Sequence, residues 1–393
     1  MENSKVNIGL FGFGTVGEGL YNILKTDSKY CFRNICVKNE NKKRSVDISN
    51  ILSTRSRIIN NSNINLIVEL IDDCVDSYEI VKSSLLKGKN VVSANKKMIA
   101  YNLKEIINLQ KDNGGTLLYE ASSCGSIPII KCLEESYGTS IESISGIFNG
   151  SSNYILSKLF SEDIDYEYAL NLAQERGFAE SNPISDVGGF DSLYKLVIIS
   201  YHAFGVIANP DDICVFGISN ITIDDVKFAK KNECKIKLIA SSRIIDNKIC
   251  MSVFPKLIPS SNDLYSVENE YNAVLIDGKY FDNHYLSGKG AGAKPTSAAV
   301  ISDIVSISKG YRYSNCIIDE SFKLSNDFIL RIYLRFNSKE DIAAFNFVNT
   351  IEIFNGSATN YIIGDIYISD LLLLKQKTED KDLFIMSLED VNL

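Results

Sequence analysis

Val6-Asn-Ile-Gly-Leu-Phe-Gly12-Phe-Gly14-Thr-Val-Gly17 opens the chain with a short apolar run and a G-x-G-x-x-G spacing, and a helical pattern continues through Leu24. The three glycines have separate tasks in a strand–turn–helix. Gly12 permits the tight turn, Gly14 lets backbone approach a pyrophosphate, and Gly17 lets the helix pack closely on the strand. The helix N-terminus then offers free N–H groups and a positive dipole end to phosphate. The spacing alone is a weak signal; the strand before it and the helix after it supply the context that makes it a dinucleotide site.

Working outward, the next strand, Asn34 to Val37, ends near the place where an acidic side chain accepts the ribose 2′-hydroxyl of NAD. The chain instead continues Lys38-Asn-Glu40-Asn-Lys42-Lys43-Arg44. Cations there, Lys38 first, suit the 2′-phosphate of NADP, so NADP(H) is favoured, while Glu40 leaves NAD(H) open. Leu66 to Ile71 and Asn90 to Ser93 read as further buried strands, separated by a helix around Tyr78 to Leu86. This βαβ alternation implies a Rossmann-type, doubly wound parallel sheet. Ligands of such sheets lie beyond the carboxyl ends of the strands, so Lys96, in Ser93-Ala-Asn-Lys96, should face the cofactor.

At 393 residues the chain is long enough for two or three domains. Its 45% hydrophobic and 23% charged content is that of an ordinary globular protein, and a net charge of -8 argues against nucleic acid or an anionic membrane as partner. No apolar run reaches the ~18 residues that span a bilayer, and the polar start is no signal peptide. The nine cysteines lack C-x-x-C spacing. They read as reduced thiols of a cytoplasmic protein.

A second informative stretch runs from Gly177 to Lys195 and holds Glu180, Asp186, Asp191 and Lys195. Lys195 is the sole Lys or Arg between Phe178 and Phe204, in a segment apolar on nearly every helical face. Such a helix is buried, and a buried charge needs a partner. Asp191 stands one turn before Lys195 on the same face. An acid and a lysine so spaced are common on solvated helices, where the pair contributes only ~0.3–0.5 kcal/mol. Here the apolar surroundings and two further acids shift the reading toward a site that binds a polar substrate and moves a proton.

Five further segments keep their order with these. They are Val91-Val-Ser-Ala-Asn-Lys96-Lys, Tyr119-Glu-Ala-Ser-Ser-Cys-Gly-Ser-Ile-Pro128, Gly146-Ile-Phe-Asn-Gly-Ser-Ser-Asn-Tyr154, Asn272-Ala-Val274 and Gly288-Lys-Gly290-Ala-Gly292-Ala-Lys-Pro-Thr296. Together with Gly177-Phe-Ala-Glu180-Ser-Asn-Pro183, Asp186 and Asp191-x-x-x-Lys195, they resemble homoserine dehydrogenase over roughly the first three hundred residues. The resemblance implies reversible reduction of L-aspartate 4-semialdehyde to L-homoserine by NAD(P)H, toward threonine, methionine and isoleucine. It implies that Lys195 is the acid/base, assisted by Lys96 near the carbonyl and by Asp191. Glu180, Asp186 and Asp191, with Gly150 and Ser151, would bind substrate. Phe13, Thr15, Val16, Ser93, Gly177 and Gly290 would join Gly12, Gly14 and Gly17 at the cofactor. Carbonyls of Ser123, Gly125 and Ile127, with Glu120, would hold a sodium ion, and the protein would be a homodimer or homotetramer. Two departures stand out: Ile71-Asp72-Asp73 where a glycine pair is usual, and Ser151 for the usual Thr.

Residues 1–130, completed by 291–320, are thus expected to form the nucleotide-binding domain. Residues 131–290 should form an α+β substrate and dimerisation domain with an open mixed sheet. From about Ser321, Phe328 to Arg335 alternates like a strand and Ile362 to Leu374 is apolar. The resemblance implies an ACT-type βαββαβ module over 321–393, degenerate because Asn337-Ser-Lys-Glu-Asp341 replaces the expected D-x-P-G turn, so threonine feedback is not expected. Two other readings are a catalytically silent NADP-binding sensor, which the intact Glu180/Asp191/Lys195 set opposes, and an imine-reducing amino-acid dehydrogenase.

Overall fold

The computed structural model describes residues 5–136, 140–290, 292–314, 322–356, 359–378 and 382–389, with the side chains of 375–378 set aside. Ser321, and Ala291 within the Gly288–Thr296 segment, lie outside the described residues. The chain divides into two units, one built on Met1–Glu135 with Ala291–Ile318 and the other on Ser136–Gly290 with Asp319–Leu393.

In the first unit the chain runs β1 (Val6–Phe11), α1 (Thr15–Leu24), β2 (Tyr30–Cys36), α2 (Arg55–Asn60), β3 (Leu66–Glu69), α3 (Cys74–Leu85), β4 (Asn90–Ser93), α4 (Lys96–Asn113), β5 (Leu117–Leu118) and α5 (Ile129–Ser136). The five strands pair in parallel in the order β2-β1-β3-β4-β5. Their apolar side chains, Ile8, Leu10, Ile67, Val68, Val91 and Val92 among them, have no exposed surface, as expected of a sheet covered by helices on both faces. Strand order reverses between β1 and β3. The residues just beyond those strands, Gly12 to Thr15 and Leu70 to Asp72, therefore flank the crevice where such sheets bind ligands.

The second unit continues with β6 (Ile141–Ile147), α6 (Gly150–Glu162), α7 (Tyr166–Glu175), α8 (Ile184–Val187), α9 (Phe190–Phe204), β7 (Cys214–Val215), α10 (Ile223–Lys231), β8 (Cys234–Ile245), β9 (Lys248–Pro259), β10 (Tyr271–Gly278) and β11 (Phe281–Lys289). The chain then supplies α11 (Ala293–Ser308) to the first unit, where it packs on α1 and Ser297 Oγ donates to the Val16 carbonyl at 3.1 Å. The remaining elements, β12 (Ile329–Phe336), β13 (Phe347–Asn355), β14 (Asn360–Tyr367), α12 (Ile368–Thr378) and β15 (Phe384–Ser387), belong to the second unit.

Its mixed sheet runs β11-β10-β6-β8-β9-β15-β12-β14-β13, with β7 beside β9. The sequence suggests a separate module from about residue 321. The strands of this tail instead continue the sheet of the preceding residues, because β15 lies parallel to β9 at Ser387 and Lys256. Leu330, Ile332 and Leu334 share one apolar cluster with Cys214 and Phe254. The tail's four strands stand in the order last-first-third-second, with a helix before the last; Asn337 to Asn346 forms bends and turns. Arg335 fastens this segment to α10. Its Nε donates to Asp225 Oδ2 at 3.0 Å and Oδ1 at 3.1 Å, where Tyr333 Oη also donates at 3.0 Å. Among the described residues no helix is long and apolar enough to cross a membrane.

Candidate active site

In the first turn, Gly12 and Gly17 stand where a side chain would not fit. Gly12 has φ +91°, and a Cβ there would lie 2.4 Å from the Leu70 carbonyl oxygen; one at Gly17 would lie 2.3 Å from the Gly12 oxygen. At Gly14 a Cβ would meet nothing within 4 Å. Gly14 also precedes α1 with no side-chain cap, which leaves the leading N–H groups to a ligand. Thr15 is exposed and Val16 half-buried, whereas Phe13 turns inward and meets the edge of Tyr21 at 5.6 Å.

Lys38 is exposed just after β2. The loop beyond it folds around Arg44, whose guanidinium donates to the carbonyls of Asn39, Glu40 and Lys42. Arg44 thus serves the loop's own backbone, leaving Lys38, Lys42 and Lys43 as its exposed cations. The Ile71-Asp72-Asp73 departure has a local reason: Asp73 caps α3, accepting from the N–H groups of Val75 and Asp76 at 3.0 and 2.9 Å. Glu69, fully buried at the end of β3, accepts from Ile71 N at 2.7 Å and Ser93 Oγ at 2.6 Å, and burial pushes its carboxyl upward. Ser93 Oγ also accepts from Asn95 N, so this hydroxyl is engaged within the fold. Asn95 caps α4, and Lys96, half-buried, is that helix's first residue.

The loop from Glu120 to Ile127 is buried except at Ser126, and sharply folded. Cys124 and Gly125 are successive left-handed residues, at φ 49° and 57°. The Glu120 carboxylate caps α5, accepting from Ile130 N and Lys131 N at 2.9 and 3.0 Å, and the Glu120 N–H donates to Asp303 Oδ2 at 2.8 Å. Burial, reinforced by Asp303, pushes Glu120 up to about 7, and burial pushes Asp303 up to about 6 against the pull of Lys131. Lys131 Nζ lies 3.2 Å from Asp303 Oδ1, an ionic contact without hydrogen-bond direction. Lys131 thus serves both acids, its backbone N–H going to Glu120 and its ammonium to Asp303, and Nζ also donates to Ser302 Oγ at 2.7 Å. Among the described residues no cluster of His, Cys, Asp or Glu side chains is arranged to hold a metal.

In the second unit, α9 starts after Gly189, a left-handed residue at φ +84°, and every residue from Asp191 to His202 is buried. Lys195, 7% exposed, donates from Nζ to Asp191 Oδ2 and to the Phe148 carbonyl, both at 2.6 Å. Asn149 ties the rest together. Its Oδ1 caps α6 through Ser152 N at 2.7 Å, while Nδ2 donates to Asp186 Oδ1 at 2.7 Å and Asp191 Oδ2 at 2.9 Å. An amide between two acids relieves their repulsion and fixes both orientations. Asn272 Nδ2 donates to the same Phe148 carbonyl at 2.9 Å.

The geometry therefore brings Lys195, Asp191 and Asp186 together and adds Asn149, Asn272 and the Phe148 carbonyl, none of which the sequence singled out as site residues. Asn149 and Asn272 do stand inside quoted motifs. Glu180 is exposed, with no hydrogen bond from its carboxylate to this cluster. Ser151 Oγ donates to the Phe178 carbonyl at 2.5 Å, joining the start of α6 to the Gly177 loop, and Gly150 lies so close to Glu270 that a Cβ would come 2.6 Å from its carbonyl. Gly177 has φ +73° and open space around it. A hollow of about 520 Å³ opens elsewhere, lined by Phe160, Lys230, Lys235, Tyr265 and Glu268 but by none of the Lys195 cluster.

A parallel sheet with a glycine turn for a dinucleotide, joined in one chain to a buried lysine–carboxylate cluster, defines an NAD(P)-dependent oxidoreductase acting on a small polar substrate. Residues 12–120 match the family model described as homoserine dehydrogenase, NAD binding domain, and residues 128–305 match that of homoserine dehydrogenase. The homoserine dehydrogenase of Bacillus subtilis is 31% identical, over 96% of this chain and 93% of its own; that of Helicobacter pylori is 35% identical, over 78% and 74%. Among solved structures, a homoserine dehydrogenase from Thiobacillus denitrificans superposes with a TM-score of 0.84 at 27% identity, covering 99% of both chains. A hyperthermophilic archaeal homoserine dehydrogenase mutant in complex with NADPH gives a TM-score of 0.67 at 27% identity, over 79% of this chain and 99% of that one. The chain belongs to the homoserine dehydrogenase family. It carries that family's activity, the reversible NAD(P)H-dependent interconversion of L-aspartate 4-semialdehyde and L-homoserine, which excludes the sensor and imine-reductase readings.

Proposed function

We propose that Lys195 gives the proton that turns the aldehyde oxygen into the hydroxyl of homoserine, and takes it back in the reverse direction. The nicotinamide supplies or receives the hydride when bound. The observation that carries the proposal is the buried Lys195 ammonium, held at 2.6 Å by one carboxylate and one carbonyl. Its third N–H is the one left to point at substrate. Asp191 orients Nζ and neutralises it, and Asn149 keeps Asp191 in place. Glu180, Asp186 and Asp191 supply carboxylates for the substrate's ammonium group. Gly150 and Ser151, at the N-terminus of α6, suit its carboxylate. Lys96 is assigned to the carbonyl oxygen as a second cation. The test is Lys195→Arg, which keeps the charge but holds its proton far too tightly to donate it. Turnover should fall by ~10²–10⁴-fold with substrate binding largely kept; near-parental turnover would remove the proton-transfer role.

Gly12, Gly14, Gly17, Phe13, Thr15, Val16, Ser93, Gly177 and Gly290 are assigned to the cofactor. The open backbone at Gly14 and the uncapped start of α1 favour a pyrophosphate there. NADP(H) is the favoured form because the exposed Lys38 stands two residues past the end of β2, and the archaeal relative solved with NADPH agrees with it. Glu120, Ser123, Gly125 and Ile127 suit a sodium ion: oxygen donors on one loop, bent by two left-handed residues, with Asp303 accepting from the Glu120 N–H. There a cation would balance charge and stiffen the loop. We further assign residues 1–130 with 291–320, 131–290 and 321–393 as the nucleotide, substrate and degenerate ACT-like parts, the last without response to threonine. A cytoplasmic homodimer or homotetramer is the proposed form; β11, an edge strand with an exposed Tyr285, is a surface that pairing would cover.

A further inference from the structure

Asn272 belongs to a motif that the functional reading leaves without a task. It is the second residue of β10, opposite Gly288 of β11, and is fully buried. Its Nδ2 donates at 2.9 Å to the Phe148 carbonyl, the same oxygen that receives Lys195 Nζ at 2.6 Å. A carbonyl can only accept, so the nitrogen of the amide must face Phe148 and the oxygen must face away. That Oδ1 is buried and has no hydrogen-bond partner. Gly290 covers the amide: a Cβ there would lie 2.2 Å from Asn272 Oδ1 and Cγ and 2.3 Å from Nδ2, so only glycine passes over it.

As a space-filler, Asn272 is poorly chosen. A buried acceptor without a donor costs ~1–3 kcal/mol, a penalty that an apolar side chain of the same size avoids. The one bond it does make is directed at the peptide that holds Lys195. We propose that Asn272 is a positioning residue: it fixes the Phe148 carbonyl oxygen through a second hydrogen bond, and that carbonyl with Asp191 fixes the direction of the Lys195 ammonium. Gly290 acquires a second task, as the residue small enough to let the Asn272 amide lie there. The proposal rests on Lys195 being the proton donor.

Three variants test it. Asn272→Leu keeps the branched outline and the number of side-chain heavy atoms, removes the donor and removes the unsatisfied oxygen. Its turnover should fall ~10–100-fold, as small misplacements of reacting groups do, while KM changes by less than about threefold and the unfolding midpoint holds or rises. In a Lys195→Ala background the same Asn272→Leu change should alter the residual rate by less than about twofold, because a residue that acts through Lys195 has nothing left to position. If Lys195→Ala collapses turnover and Asn272→Leu still costs its full factor in that background, the positioning role is wrong and the Lys195 assignment stands. If Lys195→Ala retains near-parental turnover, the Lys195 assignment itself fails. Asn272→Asp, the same size, supplies an independent readout. Its protonated form can donate to the Phe148 carbonyl and its ionised form cannot, so its turnover relative to the parent should rise as pH falls. A ratio that stays flat with pH would overturn the proposal.

Discussion

Asp225→Ala probes how the C-terminal segment is held. Asp225 is completely buried and accepts from Thr222 N at 2.8 Å, Thr222 Oγ1 at 2.9 Å, Tyr333 Oη at 3.0 Å and the Arg335 guanidinium. Burial pushes its carboxyl upward, and Arg335 and Thr222 pull it down. Four donors converging on one carboxylate describe its ionised form. Removing it strands Arg335, 5% exposed, with the Asn220 carbonyl at 2.6 Å and a mostly solvated Asp382 at 3.7 Å. Breaking a buried pair from one side costs ~3–5 kcal/mol. The second carboxylate places this case at the lower end, ~3 kcal/mol. Each kcal/mol moves the midpoint of a unit of this size by ~2–4 °C, so calorimetry should record a fall of roughly 6–12 °C. The double variant Asp225→Leu/Arg335→Met should recover most of it, since no charge is then left uncompensated. A shift below about 2 °C for Asp225→Ala, or no recovery in the double variant, would refute the reasoning.

Three other expectations follow from the same contacts. Lys38→Glu should weaken NADPH at least ~10-fold, the loss of a charge-assisted hydrogen bond of ~1.5–3 kcal/mol, and leave NADH unaffected or improved; equal losses for both cofactors in a binding titration would move the 2′-phosphate contact elsewhere. Burial holds Lys237 down at about 8, with Glu268 opposing, while the unfolded side chain titrates near 10.4. Between those values the unfolded state binds more protons, so stability should rise with pH across that window by at most ~3 kcal/mol; urea titrations of Lys237→Met should lack the rise. Adding threonine should leave turnover unchanged, and measurable inhibition would restore a sensing role to the tail.

What the sequence revealed and what it hid divide along the range of the interactions. The glycines at 12, 14 and 17 were legible because their spacing marks a single strand–turn–helix, although what crowds Gly12 is the distant Leu70 carbonyl. The Asp191–Lys195 pair was legible because a helix brings residues four apart together, and the apolar run around them announced burial. The partners of that pair were not. Asn149 reaches Asp186 across 37 residues of sequence, and Asn272 reaches Phe148 across 124. Neither spacing has a local signature. Arg44, read among the cations of the Lys38 loop, is engaged by the loop's carbonyls, a loss that only the folded backbone reveals. The tail's alternation was visible, but its union with the larger sheet depends on β15 meeting β9, far upstream. Asp72-Asp73 stood out as a departure from the usual glycine pair, and Asp73 is a helix cap.

Every role proposed around the buried cluster depends on Lys195 as the proton carrier. The most direct measurement is turnover of Lys195→Ala with aspartate 4-semialdehyde and NADPH, with cofactor affinity determined on the same sample. Turnover should fall by at least ~10²–10⁴-fold while NADPH affinity stays within about twofold of the parent. Near-parental turnover in a variant that still binds NADPH would contradict it.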